Sequence, residues 1–274
     1  MAFIEHSSSK TWHTFLTTGW RDLRDGLRRH QAWMFLAGHE VRRQYQRSIL
    51  GPFWITLNLA IMIAAIGWFY SEIFGQKIDT YLPFLTVGFI VFGFMSNVVN
   101  ESANLFANEA IAIRQSLLPL SFYVYKLIFR QIIIFAHNLT IYILVWLLFP
   151  IPANLNILLA IPGFCLMVIS AFSVALIIGP IAARFRDIPP IISSLMQVFF
   201  FVTPIFWTIS NVPKRAAFVN INPFFHYLEI VRQPLLGQTP SSLNWIIASV
   251  LTVVVSVTAF AFFSRYRSKI TYWV

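Results

Sequence analysis

Apolar residues gather along this chain into six runs, at about 53–74, 82–103, 121–149, 157–183, 189–209 and 243–263, each bounded by prolines, glycines or charges. A helix rises about 1.5 Å per residue, so roughly 20 apolar residues cross the hydrocarbon layer of a bilayer. The pattern predicts an all-α integral membrane protein with six transmembrane helices. Before the first run the period changes. Two shorter helical pieces are expected around residues 20–30 and 32–46, and in the second Met34, Ala37, Val41 and Tyr45 recur every three or four residues, with Arg42 and Arg43 off that stripe. An apolar stripe beside a basic face suits a helix lying along a membrane interface. The chain thus divides into an N-terminal arm, residues 1–52, and a six-span domain, residues 53–270.

Two connections carry a pattern of their own. Between the second and third runs, Phe106, Ala110, Ile113 and Leu117 mark one face of a short helix, opposite Asn104, Asn108 and Glu109, and Pro119 ends it. A three-turn amphipathic helix grips little membrane, so docking into a partner's groove is the expectation, with a snorkelling connector as the alternative. From Ser210 to Leu243 the chain is too apolar to be free and too polar to span. Two short helices broken near Asn222-Pro223 and ended near Pro234 or Gly237 would bury its aromatics. Two placements fit: a re-entrant hairpin capping a pathway, or a loop flat on the membrane; re-entry is the expectation.

Charge sets the direction. Of 20 Lys and Arg, eight lie in residues 1–52, and Arg265, Arg267 and Lys269 close the chain. Basic residues flanking spans belong on the cytoplasmic side, which predicts both termini there, with Arg114, Lys126, Arg184 and Arg186 bordering inner loops. Lys214, Arg215 and Arg232 fall on the outward side as exceptions. The formal charge of +10 is explained by these flanks and by anionic lipids, and no RNA-binding signature accompanies it, so nucleic acid is excluded as a partner. Hydrophobic residues make up 58% of the chain and charged residues 11%, against about 25% charged in soluble domains. The single Cys165 reads as a small core residue, and no cleavable signal peptide is visible before residue 52.

The chain has no phosphate-binding loop, no His-Glu-x-x-His motif and no pair of acids deep within a span, so it carries no visible engine. Lys126 and Arg130, one turn apart on the third span, could hold a phosphate or snorkel to inner headgroups. His137 and Asn138 lie deeper, where a hydrogen bond between helices is the usual reason for such residues.

Four segments carry a family resemblance: Arg43-Gln44-Tyr45-Gln46-Arg47-Ser48-Ile49-Leu50-Gly51-Pro52-Phe53-Trp54, Arg184-Phe185-Arg186-Asp187, Thr203-Pro204-Ile205-Phe206-Trp207, and Asn222 through Arg232. Together, across about residues 20–270, the chain resembles ABC-2 type permeases that export polysaccharides, particularly the Wzm-type transmembrane subunit of O-antigen exporters. The resemblance implies a homodimer in the bacterial inner membrane, bound to two separate ATPase subunits that use ATP and magnesium, with no cofactor in this chain. It further implies a polyprenyl-diphosphate-linked glycan as substrate. The helix with Phe106, Glu109, Ala110, Ile113, Arg114 and Leu117 then resembles a coupling helix for the ATPase. Paired re-entrant helices would close the outer mouth, where Asn222, Pro223, Tyr227, Glu229 and Arg232 form the expected gate, the last two paired at a spacing of three.

Two further sites are expected on this footing. Arg42, Arg43 and Arg47 would recruit the lipid diphosphate, a task that guanidinium forks suit. Sugar rings stack on aromatic faces, so Trp54, Phe199, Phe200, Phe206 and Trp207 are the expected channel aromatics, in a chain that is 17% aromatic. A capsule or teichoic-acid exporter would be the same machine with another polymer. A membrane glycosyltransferase or acyltransferase would instead need a catalytic Asp, Glu or His facing a deep cavity.

Overall fold

The structure, a computed structural model, describes residues 12–44, 51, 53–152, 154–209 and 216–274. Among these the regular elements are all helical, in the order α1 (Trp12–Arg28), α2 (His30–Gln44), α3 (Phe53–Ile73), α4 (Ile78–Asn108), α5 (Ala110–Gln115), α6 (Leu120–Leu148), a 3-10 turn (Leu155–Leu159), α7 (Ala160–Arg184), α8 (Ile188–Val202), α9 (Ala216–Val219), α10 (Pro223–Leu235) and α11 (Ser242–Trp273). Five helical segments are long and apolar enough to cross a membrane: α3, α4, α6, the 3-10 turn with α7, and α11.

The bundle is built around α4. Two thirds of its apolar window, 67%, is buried inside the subunit, against 11% for α3. α4 packs on α6, α7, α8 and α10, whereas Trp68, Phe69 and Ile73 of α3 face outward. Small residues let α7 approach its neighbours. A Cβ on Gly179 would lie 2.8 Å from the Phe106 ring, and one on Gly163 would lie 2.6 Å from the Ile230 carbonyl. Close backbone approach of this kind holds helices together where lipid removes the hydrophobic drive for helix-to-helix contact.

The N-terminal arm packs on the bundle instead of standing apart. Ala37 and Val41, both on the expected stripe of α2, are buried, Met34 is exposed, and Tyr45 lies outside the described residues. Trp33 stacks on Tyr125 of α6 with 5.8 Å between ring centroids. In α1, Asp22 is buried and accepts from the backbone N–H groups of Ser121 (2.9 Å) and Leu120 (3.3 Å). It therefore caps α6, where the unpaired N–H groups and the positive dipole end favour a carboxylate. Arg267 of α11 pairs with the same carboxylate at 3.0 Å.

The fifth apolar run departs from expectation. Its helix, α8, ends at Val202 after 15 residues, about 22 Å of rise. Thr203 N–H still donates to the Phe199 carbonyl, but from there to Thr208 the backbone is not helical, and other elements meet its polar groups. Arg232 Nη1 donates to the Pro204 carbonyl (2.6 Å), Tyr81 Oη to the Phe206 carbonyl (2.5 Å), and Gln76 Nε2 to Thr208 Oγ1 (3.4 Å). Unwound backbone at depth survives only when partnered in this way. α8 starts beside Arg184 and α5's end of the bundle, and Thr208 meets Gln76 beyond the last turn of α3, at the opposite end.

Candidate functional site

One face of α4 is polar. Ser96, Asn100, Asn104 and Asn108 recur every four residues, over about 18 Å of helix, and Asn97 and Glu101 stand beside them. This face borders a cavity of about 640 Å³ whose walls include Asn58 of α3, Asn138 of α6, Gln197 of α8, and the rings of Phe89, Phe92 and Phe200. A second cavity of about 470 Å³ shares Asn100 and Ile134 with the first and is walled by Asn104, Asn108, Glu101, Glu109, Lys126 and Arg130. A polar and aromatic groove therefore leads along α4 toward a cluster of charges.

That cluster joins three elements. Lys126 of α6 donates to Glu40 of α2 at 2.6 Å and also to Glu109 at the α4–α5 break; Arg130 donates to Glu40 at 3.1 Å and also to Glu101 of α4. Three carboxylates face two cations, a local balance of −1. The expectation of a phosphate site or of snorkelling at Lys126 and Arg130 is corrected accordingly: both cations are taken by carboxylates, and Lys126 is buried. These pairings were missed because each acid stands 17 to 90 positions in sequence from its cation, and no local spacing reports them.

The expected docking helix is broken in two. α4 runs through Phe106 to Asn108, and α5 restarts at Ala110. Phe106 and Ile113, placed by periodicity on the outward apolar face, are instead buried at 1% and 6% exposure. The correction has a packing cause at Phe106: Gly179 leaves room for its ring within the subunit, so that part of the apolar stripe turns inward. Ala110 and Glu109 are half-buried, while Ile111, Arg114 and Leu117 face outward. Arg114 Nε donates to the Val274 carbonyl at 3.0 Å, tying α5 to the last turn of α11.

At the other end, α10 is buried from Phe225 to Arg232. Asn222 precedes the helix and accepts from Phe224 N–H at 3.0 Å, with Pro223 at the first position, where its missing N–H costs nothing. The Asn222 amide donates to Thr203 Oγ1 (2.7 Å), and Tyr227 Oη meets Thr252 Oγ1 (2.8 Å). Glu229 and Arg232 form a buried ion pair, with 7% and 4% of their side chains exposed. Gln233 donates to the other Glu229 oxygen, and the Arg232 guanidinium lies 4.0 Å from the centroid of the Phe84 ring. Gly237, at φ +77°, ends the helix, in a conformation that favours glycine.

The remaining expected residues scatter. Phe200 borders the large cavity, and Phe199 packs against Phe224 at 4.8 Å. Phe206 sits between Tyr70 and Phe200, and Trp207 donates to the Phe201 carbonyl (3.0 Å). Trp54 is exposed on α3 and is not part of that cavity wall. Phe89 and Phe92 of α4, missed by sequence, supply the facing rings. Arg42 and Arg43 are exposed at the end of α2, and Arg47 lies outside the described residues. His137 bonds within its own helix, to the Ile133 carbonyl, and Asn138 Oδ1 is buried without a partner, so the expected bond between helices from these side chains is not made. Cys165 is exposed, not core.

Comparison with known proteins adds the family. Over 239 residues the chain is 19% identical to an O-antigen export system permease protein, RfbA, of Klebsiella pneumoniae, covering 85% of this chain and 91% of the relative. A second Klebsiella pneumoniae protein of that description is 20% identical over 80% of this chain and 87% of its own length. An RfbA permease of Myxococcus xanthus is 19% identical over 66% of this chain and 70% of its own. The family model described as ABC-2 type transporter matches residues 31–236, from the start of α2 to the end of α10, so this multi-pass membrane chain belongs to the ABC-2 type transporter family.

Proposed function

We propose that this chain is the permease subunit of an exporter that moves a polyprenyl-diphosphate-linked polysaccharide, of the O-antigen kind named for its relatives, across the bacterial inner membrane. It acts as a homodimer on two ATPase subunits, which supply the ATP and magnesium chemistry. The observation that carries the reading is the groove along α4, where the rings of Phe89, Phe92 and Phe200 and the amides of Asn58, Asn97, Asn100, Asn138 and Gln197 line one cavity. Rings stack on the CH faces of sugars and amides bond their hydroxyls, and such a face is costly in lipid unless it lines a watery path. The second copy closes the open side.

In this reading α8 with Thr203–Thr208 makes the sixth crossing, and both termini are cytoplasmic. α2 lies at the inner interface and α10 re-enters from the periplasmic side. Domain limits of 1–52 and 53–270 follow. Arg42, Arg43 and Arg47 meet the lipid diphosphate at the inner leaflet. Asn222, Pro223 and Tyr227 hold the outer gate, with Glu229 and Arg232 as its brace. The exposed Ile111, Arg114 and Leu117 of the α5 segment meet the ATPase, with Glu109 and Ala110 behind them.

The test is recovery of the ATPase subunit with the permease. Ile111→Glu with Leu117→Glu should abolish co-purification and export while the unfolding temperature stays unchanged, since exposed substitutions shift stability by only about 0.5 kcal/mol. Full recovery of the ATPase together with full export in that variant would overturn the reading.

A further inference from the structure

The amides on α4 describe the polymer more closely than the family does. Asn100 Nδ2 donates to the Ser96 carbonyl at 2.9 Å and Asn104 Nδ2 to the Asn100 carbonyl at 3.4 Å, both within the helix. Their Oδ1 atoms remain for an outside donor. Across the cavity Asn138 is another wall amide, and its Oδ1 is buried with no hydrogen bond inside the subunit. Asn58, Asn97 and Gln197 add further amides to the same walls. A carboxamide offers two donors and an acceptor without charge, and a sugar hydroxyl is likewise both donor and acceptor. The two match group for group.

A polyanion would need a different wall. Pores that pass anions or phosphates are lined with rings of Arg or Lys. The walls of the larger cavity carry no charged residue among the described residues, and the cations bordering the smaller one, Lys126 and Arg130, are both bonded to carboxylates. The charges on that smaller wall, Glu101 and Glu109 against Lys126 and Arg130, cancel, so it offers no net positive charge to a chain of uronates or phosphates. We infer that the amide row along α4 is a track for an uncharged glycan, a polymer of neutral sugars, and that this face turns away glycans bearing a carboxylate or phosphate in each repeat. The inference rests on the permease reading above and goes beyond it, since capsule or teichoic-acid polymers are commonly charged and an uncharged track would exclude those.

The experiment uses the full chain in lipid nanodiscs, with Cys165→Ala and a single thiol introduced as Asn104→Cys or, separately, Asn97→Cys. Maleimide reacts with the thiolate, so its rate reports water at the site. Neutral mannohexaose at about twice its dissociation constant should slow alkylation about threefold by occupancy, whereas a hyaluronan hexasaccharide at the same concentration should leave the rate unchanged. Slowing by hyaluronan equal to that by mannohexaose would overturn the neutral-polymer inference and leave the permease reading intact. Slowing by neither sugar would overturn it as well. Thiols that fail to react at both positions would mean that the amide row faces lipid or the second copy, the other common use of amides between membrane helices, and would equally overturn it. The ATPase recovery and export test decides the permease reading independently.

Discussion

Two of the ionic sites, at opposite ends of the bundle, are built on opposite plans. Glu229 and Arg232 are neighbours on one helix, both nearly fully buried, with the remaining polar atoms met by Gln233, the Pro204 carbonyl and the Phe84 face. The cluster of Glu40, Glu101, Glu109, Lys126 and Arg130 spans α2, α4, the α4–α5 break and α6, and its carboxylates are 22% to 39% exposed. A buried pair resists separation because either charge left alone in the interior is expensive. A half-wet cluster exchanges its partners with water at small cost. The first plan suits a brace and the second suits a joint between elements that move.

Removing one half of the buried pair should give the largest effect. Arg232→Ala strands the Glu229 carboxylate and frees the Pro204 carbonyl, so stability should fall by roughly 3–5 kcal/mol, read as a large drop in unfolding temperature by tryptophan fluorescence. Glu229→Gln with Arg232→Met should lose much less than the sum of the single changes, with a coupling of about 0.5–3 kcal/mol. Strict additivity would remove the brace from the comparison.

An intermediate effect is expected at Lys126, the buried member of the open cluster. Lys126→Met keeps the volume but leaves Glu40 and Glu109 without their shared cation, and α2 should loosen from α6 at a cost of about 2 kcal/mol, below the buried-pair range because its acids reach water. Faster amide exchange across residues 33–44, with α10 unchanged, is the measurement. Equal loosening of α10 would mean that the two sites are not independent.

The smallest effects belong to the rim. Glu101→Gln should cost no more than about 1 kcal/mol. Raising salt toward about 1 M, where screening acts within about 3 Å, should weaken the cluster and speed exchange in α2 while the Glu229–Arg232 pair holds. A salt response at α10 of the same size would reverse the assignment of wet and dry sites.

Much of the architecture was legible because apolar run length reports membrane-crossing helices directly. The runs from residue 121 and from residue 157 match α6 and the α7 segment within a few residues, and Asn222-Pro223 marked the start of α10 through capping chemistry that is local. Glu229 and Arg232 were readable for the same reason, since a spacing of three puts them side by side on any helix. Phe106 and Ile113 were not. Periodicity shows that a stripe is apolar but not which body it faces, and the space left by Gly179 on another helix turned Phe106 inward.

What the sequence determined by itself is therefore whatever depends on neighbours in the chain: the helical crossings, the basic flanks, the cap of α10 and the pair on its face. Tertiary structure alone decided what depends on residues brought from far away. It halted α8 at Val202 and satisfied the unwound carbonyls with Tyr81 and Arg232, it set Glu40 between Lys126 and Arg130, and it gathered Asn58, Asn100, Asn138 and Gln197 around one groove. The physical reason is that helix formation answers to local hydrogen bonds and run length, whereas pairing a charge or lining a cavity needs groups from separate helices at a few ångströms, a distance that no pattern along a single strand of sequence encodes.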